Sequence, residues 1–194
     1  MYDLICIGAS WGGLQAVGQV LKDLPEEVET PIVLAQHRHP ESLEGALAGL
    51  LRSRAARTVL DVEDKMPIGP RHVYVAPPDY HLLVQRGSFA LSLDARVQYA
   101  RPSIDVMFES AAYAYGAGVI GIILTGANED GARGLARIKE SGGVALIQDP
   151  AGAARRAMPD AAIAATVADA ILPLDQIGRF LYGLCVDTEA VGTN

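Results

Sequence analysis

Ser10, His37 and Asp130 are the residues of this chain whose types could together perform acyl-transfer chemistry. A serine hydroxyl is a weak nucleophile until a base takes its proton. Imidazole is the base suited to neutral pH, and a carboxylate fixes the imidazole tautomer and stabilises its cation. Ser10 lies in Gly8-Ala9-Ser10-Trp11-Gly12-Gly13. There Gly8-x-Ser10-x-Gly12 fits the nucleophile-elbow pattern, in which small flanking residues let the backbone bend and expose the hydroxyl. His37 closes Leu34-Ala35-Gln36-His37, and Asp130 lies in Thr125-Gly126-Ala127-Asn128-Glu129-Asp130-Gly131. Each also has a structural use. A serine after a strand caps helices, a histidine can be buried against backbone groups, and Asp130 could cap the helix that follows it. Glu129 competes for the carboxylate role.

The elements around these residues decide between the two readings. Leu4–Ile7, Ile32–Ala35 and Val119–Leu124 are apolar runs that read as buried strands, and one of the three residues follows each. Helical spacing predicts helices over about Gly13–Leu24, around Leu43, Leu47, Leu50 and Leu51, and over Ile104–Tyr115, closed by Gly116. Further helices are expected before Gly142-Gly143 and over about Pro159–Val167 and Leu174–Val186. Thr58–Val62, His72–Ala76, Leu82–Gln85, Phe89–Leu93 and Val144–Ile147 read as strands, with Arg86-Gly87-Ser88 as a hairpin turn. The class is α/β: a doubly wound, mostly parallel sheet with helices on both faces and a β-hairpin insertion. Ligands of such sheets bind beyond the carboxyl ends of the strands. Three reactive residues at one edge favour the catalytic reading.

The order Ser, His, Asp is not that of α/β-hydrolases, whose acid precedes the histidine and whose elbow follows several strands. A nucleotide site is the competing class. However, Gly8, Gly12 and Gly13 depart from the dinucleotide spacing, Trp11 would crowd a phosphate, and no acid closes the second strand. The 194 residues read as a single domain, 1–194. A net charge of −7 without a basic block argues against nucleic acid as a partner. Cys6 and Cys185 are far apart, which suits a reduced, cytoplasmic protein. No apolar run reaches spanning length and no basic signal head precedes the first strand, so no membrane insertion is expected. The four scattered histidines suggest no metal site.

Several motifs in one order resemble the catalytic domain of the CheB-type chemotaxis receptor protein-glutamate methylesterases. They are Ile7-Gly8-Ala9-Ser10-x-Gly12-Gly13, Gln36-His37, Ala76-Pro77-x-Asp79-x-His81-Leu82, Arg101-Pro102-Ser103-x-Asp105-Val106-x-Phe108 and Thr125-Gly126-x-x-x-Asp130-Gly131-Ala132-x-Gly134. The likeness continues through Ala145–Asp149 and Met158-Pro159, from residue 4 to about residue 180. It implies a triad of Ser10, His37 and Asp130 that hydrolyses glutamyl methyl esters on receptor helices, can deamidate receptor glutamines, and needs no cofactor. The expected oxyanion donors are the N–H groups of Trp11 and Ala127. It also implies a methylated receptor as partner. Members of the family commonly carry an N-terminal receiver domain, which this chain is expected to lack, so the site is expected to be open by default or controlled by a separate regulatory partner.

The chain also departs from the family pattern. Trp11 stands where a hydroxyl residue is usual and is expected to wall the cleft. Asn128 stands in place of glycine, which suits a left-handed backbone and a conserved loop shape. Gln36-His37-Arg38-His39-Pro40 places Arg38 and His39 as two cations at the rim, candidates to touch substrate. Arg101 is a further candidate, holding substrate or the catalytic loop, or pairing with Asp105 or Asp130. His81 is read as packing, and Gln148-Asp149-Pro150 as a turn. A hydrolase of the same fold acting on another ester or amide, and a catalytically silent interaction module, remain the alternatives.

Overall fold

The computed structural model describes residues 2–186. Its frame is a seven-stranded sheet made of β1 (Leu4–Ala9), β2 (Ile32–Gln36), β3 (Thr58–Asp61), β4 (His72–Val75), β7 (Val119–Ile123), β8 (Val144–Gln148) and β9 (Ala170–Leu172). The order is β3-β4-β2-β1-β7-β8-β9, and every pairing is parallel. The remaining strands, β5 (His81–Gln85) and β6 (Ser88–Ser92), form an antiparallel hairpin outside it. From β1 the chain lays down β2, the edge strand β3 and, between them, β4 on one side, then returns across β1 to begin β7 on the other. The order therefore reverses between β1 and β7, the crevice where open α/β sheets place their ligands.

Strand side chains alternate between two cores. Ile5, Ile7, Ala9, Ile120 and Ile122 face a core shared with α1 (Gly13–Asp23), α2 (Ala46–Arg52) and α6 (Leu174–Val186). Leu4, Cys6, Val119 and Ile123 face the other, shared with the hairpin, α3 (Ile104–Tyr115), α4 (Ala132–Glu140) and α5 (Ala157–Ala165). Because both faces are covered, β1, β2 and β7 are buried at every position, which is why they read as unbroken apolar runs. In α1, Ala16, Val17, Val20 and Leu21 recur at helical spacing and form its buried stripe.

Two expectations about elements need correction. Leu43 precedes α2 and is exposed, as is Leu50; only Leu47, Ala48 and Leu51 pack inward. Gly45 has φ 75°, a left-handed residue that a helix cannot contain, so α2 starts after it. The edge strand β9 was not anticipated. It has three partly exposed residues and joins the sheet through backbone pairing with β8, flanked by bonds from Asp149 N–H to Leu172 O (2.7 Å) and from Asp169 N–H to Ala145 O (2.8 Å). Among the described residues, no helix is long and apolar enough to cross a membrane, and Cys6 and Cys185 are both free.

Candidate active site

The register of β1 against β2 pairs Ala9 with Gln36, so Ser10 and His37 are the next residues on neighbouring strands. His37 N–H donates to Ala9 O at 3.0 Å, and the Gln36 amide donates to Ser10 O at 3.0 Å, tying the two strand ends together. Past Ser10 the chain turns sharply. Gly12 has φ 79°, and a Cβ there would lie 2.7 Å from that of Ala154, so only glycine fits the elbow. Ser10 does not cap α1: Gly12 holds that position, and the serine lends only its carbonyl, to Gly13 N–H at 2.9 Å. Its hydroxyl is partly exposed and hydrogen-bonds to none of the described residues.

Asp130 is fully buried and meets His37, with Oδ2 2.7 Å from Nε2. It does not cap the helix that follows it. Oδ2 also accepts from Ile104 N–H (2.7 Å), and Oδ1 from the Ser103 hydroxyl (2.8 Å) and Asp105 N–H (3.1 Å), so Asp130 caps α3 instead. Asp105 returns the arrangement. It is buried in the first turn of α3 and accepts from Gly131 N–H (3.0 Å) and Gly134 N–H (2.7 Å), at the start of α4. The start of each helix is thus held by a carboxylate beside the start of the other, with Ser103 as the N-cap residue of α3, accepting from Val106 N–H (3.4 Å). Gly134 permits the approach, since a Cβ there would lie 2.6 Å from that of Phe108 and 3.0 Å from the Asp105 backbone.

The two carboxylates differ in charge preference. Burial opposes ionisation of Asp130, but the bonds from His37 and from the Ile104 and Asp105 N–H groups outweigh it and hold the carboxyl below its usual range. For Asp105 burial prevails over the Gly134 bond, and the neighbouring Asp130 charge acts in the same direction, so its carboxyl is pushed up. Glu129, the rival for the carboxylate role, is exposed.

The other ring nitrogen of His37, Nδ1, lies 3.3 Å from the side-chain nitrogen of Asn128. Asn128 is absent from the residues with positive φ, so the left-handed backbone expected of it is not found. What it contributes at the site is its side chain. Trp11 is 64% exposed and carries the Arg155 guanidinium 5.5 Å over its ring, so it stands at the rim. Ala127 is exposed, and neither its N–H nor that of Trp11 is bonded among the described residues.

Other predicted residues fall elsewhere. Arg38 turns inward, with its Nη2 bonded to Ala76 O at 2.5 Å and 3.9 Å from Asp61, where burial lowers its pKa. Of the two rim cations, only His39 is exposed. Arg101 pairs with neither Asp105 nor Asp130. It holds Asp79 Oδ1 (3.0 Å) and the carbonyls of Leu93 (2.8 Å) and Asp94 (3.0 Å), bracing the segment before α3. His81 is buried, bonded through Nε2 to Ala95 O (3.0 Å) and through Nδ1 to Ser103 N–H (3.2 Å).

Thr125 and Gln148 were missed as positioning residues. The Thr125 hydroxyl donates to Trp11 O (2.9 Å) and accepts from Arg155 N–H (2.9 Å), while Thr125 N–H donates to the buried Gln148 side chain (2.9 Å). These bonds join the loops after β1, β7 and β8. The signal available in sequence was a polar residue at the end of an apolar strand. Among the described residues, no group of three or more histidine, cysteine, aspartate or glutamate side chains is arranged to hold a metal ion.

The chain is similar to known proteins. A family model described as CheB methylesterase matches residues 5–181. The chain belongs to the CheB methylesterase family. It is 44% identical over 184 residues to a Leptospira interrogans protein provisionally named protein-glutamate methylesterase/protein-glutamine glutaminase, covering 94% of this chain and 95% of that one. It is 40% identical to protein-glutamate methylesterase FrzG of Myxococcus xanthus, covering 93% of this chain and 54% of that one. The crystal structure of the Thermotoga maritima CheB methylesterase catalytic domain superposes with a TM-score of 0.89 at 32% identity, covering 95% of this chain and 99% of that one. The seven-stranded frame and hairpin are thus the CheB catalytic fold, and the chain carries a CheB methylesterase domain.

Proposed function

We propose that the protein hydrolyses glutamyl methyl esters on methylated chemotaxis-type receptors, and deamidates glutamines at equivalent positions, with Ser10 as nucleophile, His37 as general base and Asp130 as the carboxylate behind it. One observation carries the reading: His37 Nε2 meets buried Asp130 at 2.7 Å on the strand end beside Ser10. An ionised carboxylate on one ring nitrogen keeps the proton there and leaves the other free to accept one.

In this mechanism Ser10 Oγ attacks the ester carbonyl as its proton passes to His37. The carbonyl electron pair moves to oxygen, where the N–H groups of Trp11 and Ala127 receive it; one such donor is worth roughly 10²–10³ in rate. The proton then leaves with methanol, and water repeats the sequence on the acyl-enzyme. Free N–H groups on two loops that Thr125 ties together support this role. The substrate end is a receptor segment presented in the cytoplasm.

The test is release of labelled methanol from methylated receptor membranes. Wild type should release it, and Ser10→Ala and His37→Ala should each lose at least roughly 10³-fold in rate with unchanged circular dichroism. Most of the activity surviving in Ser10→Ala would refute the nucleophile. Turnover of small esters without methanol release would move the substrate to another ester or amide. No Ser10 labelling by an irreversible phosphonate would leave a silent module.

A further inference from the structure

We infer that Asn128 is a positioning residue that holds the proton-accepting nitrogen of His37 and must release it for Ser10 to react. The inference rests on the triad proposed above and deepens it.

Three observations converge on Asn128. Its amide nitrogen lies 3.3 Å from His37 Nδ1. Its amide oxygen accepts from Asp130 N–H at 3.4 Å, which sets the direction of the side chain: oxygen toward the backbone, nitrogen toward the ring. On the opposite side of the ring, Nε2 faces the Asp130 carboxylate at 2.7 Å. An amide NH₂ can only donate and a carboxylate can only accept. The tautomer that matches both partners has its proton at Nε2 and its lone pair at Nδ1, aimed at Asn128. Ala127 and Glu129, on either side, are exposed, and the partly buried Asn128 joins Asp130 as a residue of this loop whose side chain reaches the ring.

That lone pair is the one Ser10 needs. Backbone pairing puts Ser10 beside His37, and the serine hydroxyl has no partner among the described residues. In the attack the Ser10 Oγ–H bond breaks, the proton goes to Nδ1, Oγ bonds to the carbonyl carbon, and the carbonyl pair moves to oxygen. The same proton later leaves with the alkoxide. Nδ1 cannot accept from Ser10 and Asn128 together, so the Asn128 bond breaks as the Ser10 bond forms. Until then Asn128 favours the neutral ring, because a donor to the unprotonated nitrogen stabilises that form.

The test compares wild type with Asn128→Ala and Asn128→Asp. Removing the donor should move the acid limb of the kcat/KM profile, which reports the free enzyme, upward by roughly 0.5–1 pH unit. The aspartate, an acceptor beside Nδ1, should move it further in the same direction. Three superimposable profiles would overturn the inference, as would rate losses in both variants without displacement of the limb.

A second measurement does not depend on turnover. In a Ser10→Ala background, the ¹⁵N resonance of His37 Nδ1 should be that of an unprotonated, hydrogen-bonded nitrogen. It should move toward the unbonded position when Asn128→Ala is added. An unmoved resonance, or a protonated Nδ1 in the neutral ring, would also overturn the inference. If wild type hydrolyses no ester while the resonance moves, the triad reading fails and the Asn128–His37 bond stands.

Discussion

Asp130, Ser103 and Asp105 are fully buried and bonded to one another's helices, whereas Trp11, beside Ser10, and Tyr99, which shares a cleft with Asn128, are 64% and 97% exposed. The two regions both border the loop after β7. In the buried one, each polar atom has a partner supplied by a distant stretch of chain, so the geometry around His37 is over-determined. At the rim, side chains stand in solvent and their positions rest on a few backbone bonds through Thr125. The difference teaches where each property is held: the His37–Asp130 pair is fixed against the dry, cross-bonded starts of α3 and α4, whereas the rim is a surface free to vary.

The sharpest way to break this contrast is at Asp130. Asp130→Asn should lower kcat on the order of 10⁴-fold, the loss that follows when a triad carboxylate becomes an amide. It should also cost about 1–3 kcal/mol, because donors from Ser103, Ile104 and Asp105 lose an anionic acceptor. The carboxyl is held below its usual range, so this stabilisation exists above its unfolded pKa of about 3.9 and disappears as pH falls through the lower folded value. The Tm gap between wild type and Asp130→Asn should therefore close in acid.

Asp105 should show the reverse sign. Its carboxyl is pushed up, so wild-type stability relative to Asp105→Asn should fall as pH rises from about 3.9 through the raised folded value. Thermal melts across that range, showing both variants trending the same way, would remove the distinction between the two carboxylates.

Arg38→Ala tests which region that arginine belongs to. Its guanidinium holds Ala76 O and lies near Asp61, so the loss should be about 1–3 kcal/mol in stability, with KM nearly unchanged. A KM rise without a Tm change would return Arg38 to the rim. The smallest effect is expected from Trp11→Ala. It removes an exposed ring and one cation–π contact, worth about 0.5–1 kcal/mol at such sites, so Tm should hardly move while KM for receptor substrate shifts. A large loss of stability would make Trp11 part of the core.

The apolar runs of β1, β2 and β7 and the periodicity of α1 and α3 made the sheet and its edge legible, and with them the neighbourhood of Ser10, His37 and Asp130. Strand β9 was not legible, since three partly exposed residues carry no burial pattern and backbone pairing alone recruits them. The ion-pair partner of Arg101 and the rim position of Arg38 were misread for a common reason. Charge and position in a motif do not say which carbonyls a long side chain will reach. Asn128 was read through its backbone, although its part at the site is played by its amide.

By itself, then, the order of residues determined the α/β class, the alternation of strands and helices, and the three strand ends that carry a hydroxyl, an imidazole and a carboxylate. These follow from periodicity and from local turn chemistry, which act over a few residues. Only the tertiary structure decided that Asp130 caps α3 rather than its own helix, that Asp105 answers it, and that Asn128 occupies the second nitrogen of His37. Each of those bonds joins groups brought together by packing, and around Asp130 and Asp105 burial leaves the polar atoms no water to turn to instead.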